Sequence, residues 1–161
     1  MFERLLLAID DTPAGQIAVS VCASLARQHR VQVHVFHVNQ FVVGGRGVTV
    51  IPQSEAVRLV EQAIAELKGA GVDVDGAVSA ANCFDLAARI AAEADRWSAD
   101  AIVLGSQRHA RFARLRGRGL RERLIQRSTL PVVVAPAPLR VAVGATVTVA
   151  EATAVPPSVR S

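Results

Sequence analysis

Between Ala101 and Pro136 the chain reads AIVLGSQRHARFARLRGRGLRERLIQRSTLPVVVAP. An apolar run stops at Gly105-Ser106, a basic glycine-containing loop follows, then a short helical pattern, then a run of valines. That is the order of a βαβ unit, in which loop N–H groups beside a helix N-terminus can face an anion. A parallel pair of strands needs such a crossover, so this stretch points to an α/β fold.

The rest of the chain repeats the alternation. Arg4 to Ile9 (RLLLAI) is a short apolar run ended by Asp10-Asp11-Thr12-Pro13, which predicts a buried strand entering a helix. Thr12 fits an N-cap, and Pro13 fits the first helical position, where a missing N–H costs nothing. Ile17, Val21, Leu25 and their neighbours recur at helical spacing to about Gln28, and Val31 to Val38 predicts a second strand. Asn39 to Ile51, with Gly44-Gly45-Arg46-Gly47, is expected to be a loop covering a crevice rather than a phosphate loop.

Ser54 to Lys68 predicts a helix closed by Gly69 and Gly71, and Val72 to Ser79 a more polar strand near a sheet edge. Asp85 to Trp97 predicts a third helix, Ala101 to Leu104 a fourth strand, Leu120 to Gln126 a fourth helix and Val132 to Ala135 a fifth strand. The expected architecture is a single open five-stranded parallel sheet with helices on both faces. Residues 1–136 form that domain and 137–161 a C-terminal tail. In the tail, Leu139 to Val149 alternates well enough for an added strand, and Ala150 to Ser161 is expected to be disordered.

Composition agrees. Hydrophobic residues make up 51% of 161, yet there are five Phe, one Trp and no Tyr, so the core must be built from Val, Leu, Ile and Ala. Cys22 and Cys83 lie in apolar helical patterns and are expected to be reduced, buried thiols. Neither they nor His29, His34, His37 and His109 show metal-ligand spacing. The N-terminus lacks the basic and apolar regions of a secretory signal, and no apolar run approaches a membrane span. A cytoplasmic protein with no membrane partner is expected.

Net charge is +4, but Gly105 to Arg127 alone carries eight Arg against one Glu, so the remainder is acidic. Arg111, Arg114, Arg118 and Arg121 fall three or four apart and would share one helical face. Such a face can be merely solvated, hold nucleotide phosphates or meet a polyanion. With no Tyr and one nearby Phe, base stacking on single-stranded nucleic acid has no support.

Ligands of a doubly wound sheet bind at the carboxyl ends of its strands. The first strand ends at Asp10-Asp11 and the fourth at Gly105-Ser106; if these strands are neighbours, an acidic wall faces a basic, glycine-containing one. Asp10 could accept hydrogen bonds from a ribose or base, or simply cap the following helix.

AIDDTPAG after the first strand, FHV ending the second, IVLGS ending the fourth and the closing RERLIQRSTLPVVVAP resemble a universal stress protein, over roughly residues 2 to 136. The resemblance implies an adenine-nucleotide α-hydrolase-like sheet of order 3-2-1-4-5 and a homodimer formed through the last strand, Val132, Val133 and Val134. ATP-binding members of the family carry glycine, two residues, glycine, nine residues, glycine, then Ser or Thr. On this chain those positions are Gly105, Arg108, Arg118 and Gly119, so one of four matches. A one-residue slip would instead bring Gly117 and Gly119 to the pocket.

Asp10 matches the family's adenosine-contacting aspartate, and Val38 the residue whose backbone meets adenine. With their neighbours, the implied nucleotide site is Ala8, Ile9, Asp10, Val38, Leu104, Gly105, Arg108, Arg118, Gly119 and Leu120. Arginine at the second and third glycine positions would hold a ligand by charged side chains in place of a backbone nest. The implied cofactor is ATP, with Mg²⁺, or another adenine nucleotide, bound by a degraded ATP motif.

The residues supply no nucleophile–base pair, metal centre or matched acid and base, so no catalytic role is expected beyond weak ATP hydrolysis. Two readings remain: a stress-response module regulated by a nucleotide, or a nucleotide-independent dimer presenting Arg111, Arg114 and Arg121 to an acidic protein partner.

Overall fold

The computed structural model describes residues 2–44, 47–49, 52–82, 84–106 and 119–136, with the side chains of 42–44 and 47–49 excepted. Along the chain run β1 (Arg4–Ile9), α1 (Pro13–His29), β2 (Gln32–Gly44), β3 (Gly47–Thr49), α2 (Gln53–Gly69), β4 (Val74–Asn82), α3 (Leu86–Arg96), β5 (Ala101–Gly105), α4 (Leu120–Arg127) and β6 (Val132–Ala135).

Five strands form a parallel sheet in the order β4-β2-β1-β5-β6, the expected 3-2-1-4-5 once the short β3 is set aside. β1 lies at its centre, paired with β2 from Arg4↔Gln32 to Ile9↔His37 and with β5 from Leu5↔Ala101 to Ala8↔Leu104. Side chains alternate between faces along each strand. Leu5, Leu7, Val33, Val35 and Val103 pack with Ala18, Val19 and Cys22 of α1 and Val60, Ala63 and Leu67 of α2. Leu6, Phe36, Ile102 and Leu104 pack with Leu86 and Ile90 of α3 and Leu124 of α4. Helices therefore cover both faces, and aliphatic side chains fill both layers.

One expectation fails. Much of the glycine-rich stretch after Asn39 is strand: β2 continues to Gly44 and turns back antiparallel as β3, pairing Val42↔Thr49, Val43↔Val48 and Gly44↔Gly47. Gly44 and Gly47 close this antiparallel pair, and its flanks, Val42-Val43 and Val48-Thr49, are the β-branched residues that favour strands. The extension also lengthens β4, which begins at Val74 and pairs with β2 as far as Phe41↔Asn82. β4 has no other partner strand among the described residues, in keeping with its polar sequence.

At the amino end of the sheet, polar groups join four elements. The buried His34 ring faces Asp75 Oδ1 of β4 through Nδ1 at 2.5 Å and Glu93 Oε1 of α3 through Nε2 at 3.0 Å. Both contacts are hydrogen bonds only when both ring nitrogens carry protons. Trp97 stacks on the same ring at 5.3 Å, and the Arg4 guanidinium lies 4.4 Å from the indole. Asp100 Oδ2 accepts the N–H groups of Glu3 at 2.7 Å and Arg4 at 2.8 Å, anchoring the start of β1.

The basic loop and the tail, namely Arg108, Arg111, Arg114, Gly117, Arg118, His109 and 137–161, lie outside the described residues, as does Cys83. Cys22 is a buried free thiol. No helix among the described residues is long and apolar enough to cross a membrane.

Candidate functional site

The register sets the strand-end residues Ala8, Ile9, Asp10, Val38, Leu104 and Gly105 side by side, while Arg108 and Arg118 lie outside the described residues. Ala8 pairs with Leu104, and Ile9 with His37, so Asp10 emerges from the centre of the sheet beside Val38 on one side and Gly105-Ser106 on the other. Ala8, Val38 and Leu104 direct their side chains to the α3–α4 face, where Leu120 packs in the same cluster. The result is an apolar wall beneath a polar rim at the carboxyl ends of β1, β2 and β5. Ile9 differs: its side chain joins the opposite, α1–α2 layer. Its carbonyl oxygen contributes instead, accepting a hydrogen bond from Nδ1–H of the buried His37 at 2.9 Å and tying the end of β1 to β2.

Asp10 works locally as well. Its Oδ1 accepts the Thr12 N–H at 3.1 Å and the Thr12 hydroxyl at 2.5 Å, while Thr12 Oγ1 accepts the Gly15 N–H at 3.2 Å. The carboxylate thus fixes the turn and Thr12 caps α1, as residues of these types do where a strand feeds a helix. The capping and ligand roles read from the sequence are compatible, because both keep the carboxylate at the strand end.

Two glycines set how closely this end packs. A β-carbon on Gly15 would fall 2.5 Å from the Asp10 carbonyl oxygen, and one on Gly105 would fall 2.6 Å from the Ala14 carbonyl oxygen. The first turn of α1 therefore sits directly on the ends of β1 and β5. Gly105, expected from the resemblance to line a nucleotide loop, meets a packing demand here whether or not it has that role.

Gly119 and Leu120 form the start of α4. Gly119 is its N-cap and provides no side-chain cap. Glu122, in the first turn, folds back so that its Oε2 lies 2.6 Å from where a Gly119 β-carbon would stand, and Arg121 Nη2 pairs with its Oε1 at 2.9 Å. The helix end thus has a carboxylate of this chain beside it, where partial positive charge favours an anion. Sequence reasoning missed this contact; it placed Ser106 at the strand end but not that its buried hydroxyl has no hydrogen-bond partner among the described residues. Glycine then serine at a strand end was the available signal for Ser106. No signal short of the helix start itself marks Glu122.

Chemically, the crevice offers an apolar surface for a flat ring, a carboxylate for hydroxyl or amine donors, an unsatisfied buried hydroxyl and a helix start for an anion. The described residues contain no group of three or more His, Cys, Asp or Glu able to hold a metal ion.

Taken together, the sheet and its carboxyl-end crevice define an open, doubly wound parallel α/β domain. The chain belongs to the universal stress protein family, whose model matches residues 1–136. No curated protein matches it. Among solved structures it is similar to a universal stress protein family member from Burkholderia pseudomallei, at 21% identity and a TM-score of 0.67, over 84% of this chain and 96% of that one. It is also similar to a universal stress protein in complex with cAMP, at 18% identity and a TM-score of 0.62, over 83% and 95%. A third, from Archaeoglobus fulgidus in complex with dAMP, has 20% identity and a TM-score of 0.57, over 82% and 96%. At these identities the likeness speaks for the fold.

Proposed function

We propose that the protein is a stress-response regulatory module that binds an adenine nucleotide in the crevice between Asp10 and Gly105. The observation carrying this reading is the register: it puts Asp10 between Val38 and Gly105-Ser106, over the apolar wall of Ala8, Val38, Leu104 and Leu120. The base would lie against that wall with the Val38 backbone at its edge. Asp10 would accept from the adenosine portion, and the phosphate would lie toward Gly105, Ser106 and the start of α4. Two members of the fold in complex with cAMP and dAMP support the ligand class.

Arginine at positions 108 and 118 would supply the phosphate contacts that glycine backbone provides in ATP-binding members. Charge-assisted bonds to phosphate contribute roughly 1.5–3 kcal/mol each, enough to offset a lost backbone donor. If ATP is the ligand, Mg²⁺ would accompany its phosphates. We further propose that two copies associate across β6, whose Val132, Val133 and Val134 are only half-buried on an edge strand.

Calorimetry with AMP, cAMP and ATP tests the nucleotide reading. Binding should weaken at least tenfold in Asp10→Ala, while Thr12→Val, which disturbs the same turn without removing the carboxylate, should bind nearly as the parent does. Equal loss in both variants would assign Asp10 to the turn alone, and no heat at millimolar nucleotide would refute the function.

A further inference from the structure

β6 ends the sheet, and among the described residues it pairs with β5 alone. Its valines are half-buried, so one row of backbone N–H and C=O groups and part of two apolar faces are left uncovered by the described residues. On the α1 face, Val133 packs into the same cluster as Ile17, Val21 and Leu25, three half-buried side chains that line a shallow groove along α1. An edge of this kind is a template for a further strand.

The sequence carries a strand-like pattern immediately beyond. In LRVAVGATVTV, residues 139–149, the odd positions are Leu139, Val141, Val143, Ala145, Val147 and Val149. The even positions are arginine, small residues and threonine. That is one wholly apolar face and one polar face at strand period, suited to a sheet edge with one side covered.

The linker decides where this strand can go. Only Pro136-Ala137-Pro138 separates β6 from Leu139. A two-residue hairpin turn needs φ > 0 at its first central residue, and a three-residue loop needs a left-handed third residue. Proline fixes φ near −65° at both outer positions, and Pro138 pushes Ala137 into extended conformation. A tight return onto the chain's own β6 is thus blocked. The same three residues, extended at about 3.1 Å each, reach about 10 Å, roughly two strand spacings. That is the step needed to pass one intervening strand and reach the β6 of a second copy.

We infer that two copies exchange their 139–149 segments, each segment adding as a strand to the free β6 edge of the other copy. The inference rests on the two-copy reading above and specifies what fills the contact.

Cross-linking tests it in a Cys83→Ser background. Protein carrying Val133→Cys is mixed, dissociated and reassociated with protein carrying Val141→Cys, Val143→Cys or Ala145→Cys, then oxidised. A covalent dimer joining the two different chains is expected for at least one pair. If both cysteines placed in one chain instead bridge only within that chain, or if no pair cross-links, the exchange is overturned. Sedimentation supplies the second readout: full-length protein should be dimeric, and chain ending at Pro138 monomeric with an unchanged helical circular dichroism spectrum. A truncated chain that stays dimeric overturns the exchange while leaving association across β6 standing. A monomeric full-length chain overturns both, and if the truncated chain does not fold, the cross-link decides.

Discussion

Gly105 meets the backbone of Ala14 so closely that a β-carbon on the glycine would fall 2.6 Å from the Ala14 carbonyl oxygen. The neighbour is main chain in the first turn of α1, not the tip of a flexible side chain, so the contact cannot relax cheaply. Gly105→Ala should therefore lower stability by about 1–3 kcal/mol, the usual cost of overpacking a close contact. Urea unfolding would show it, and an unchanged midpoint would mean that β5 and α1 are able to separate.

Thr12 stands between Asp10 and α1, donating to the carboxylate and accepting from Gly15. Thr12→Ala removes the cap and should cost about 1 kcal/mol in thermal or chemical unfolding. Asp10→Asn retains an acceptor oxygen for the turn and should cost less.

The Glu122 carboxylate lies over the start of α4, where a ligand phosphate would also be favoured. Glu122→Gln removes a like charge from that position, an effect of about 0.3–1 kcal/mol near a helix end. Nucleotide affinity should rise up to about fivefold by calorimetry, with a smaller gain for adenosine, which has no phosphate. A gain of equal size for adenosine would mean that the carboxylate is remote from the phosphate.

Acid should loosen the amino end of the sheet. The N–H groups of Glu3 and Arg4 hold the Asp100 carboxyl below its ordinary range, and Arg96, with a further contribution from His34, does the same for Glu93. A pKa depressed by folding contributes stability above the unfolded-state value, near 4, and loses it as pH falls through the folded value. Asp100→Asn should therefore be less stable than the parent at pH 7, and the difference should shrink toward pH 3. A difference constant across that range would show that the amide loses a contact unrelated to charge.

Burial pushes the Cys22 thiol up to about 12, which leaves almost no thiolate at neutral pH. In a Cys83→Ser background, native protein should resist alkylating and disulfide reagents at pH 7 and react fully once unfolded. Rapid labelling of the native protein would mean that α1 opens readily from the sheet.

Much of this architecture is legible in the residues. LLLAI and AIVLG are unbroken apolar runs bounded by turn residues, and a strand buried on both faces leaves that trace; the half-buried VVVA of β6 reads equally clearly. The Thr12-Pro13 start of α1 is equally plain. The β2–β3 hairpin is less so, because three glycines and an arginine outweighed the FVV and VTV flanks, whose pairing emerges only once the strands are side by side. The site divides in the same way. Asp10 and Gly105 are visible as strand ends. The Gly15 contact and the Glu122 fold-back depend on distances across or between elements, which spacing along the chain does not encode.

Trp97, the single tryptophan, is held between the His34 ring and the Arg4 guanidinium at the end of the sheet away from Asp10. Its emission is therefore an optical gauge of one half of the molecule. Fluorescence will follow the parting of α3 from β1 and β2, whereas occupancy of the crevice at the opposite end will leave the signal nearly silent.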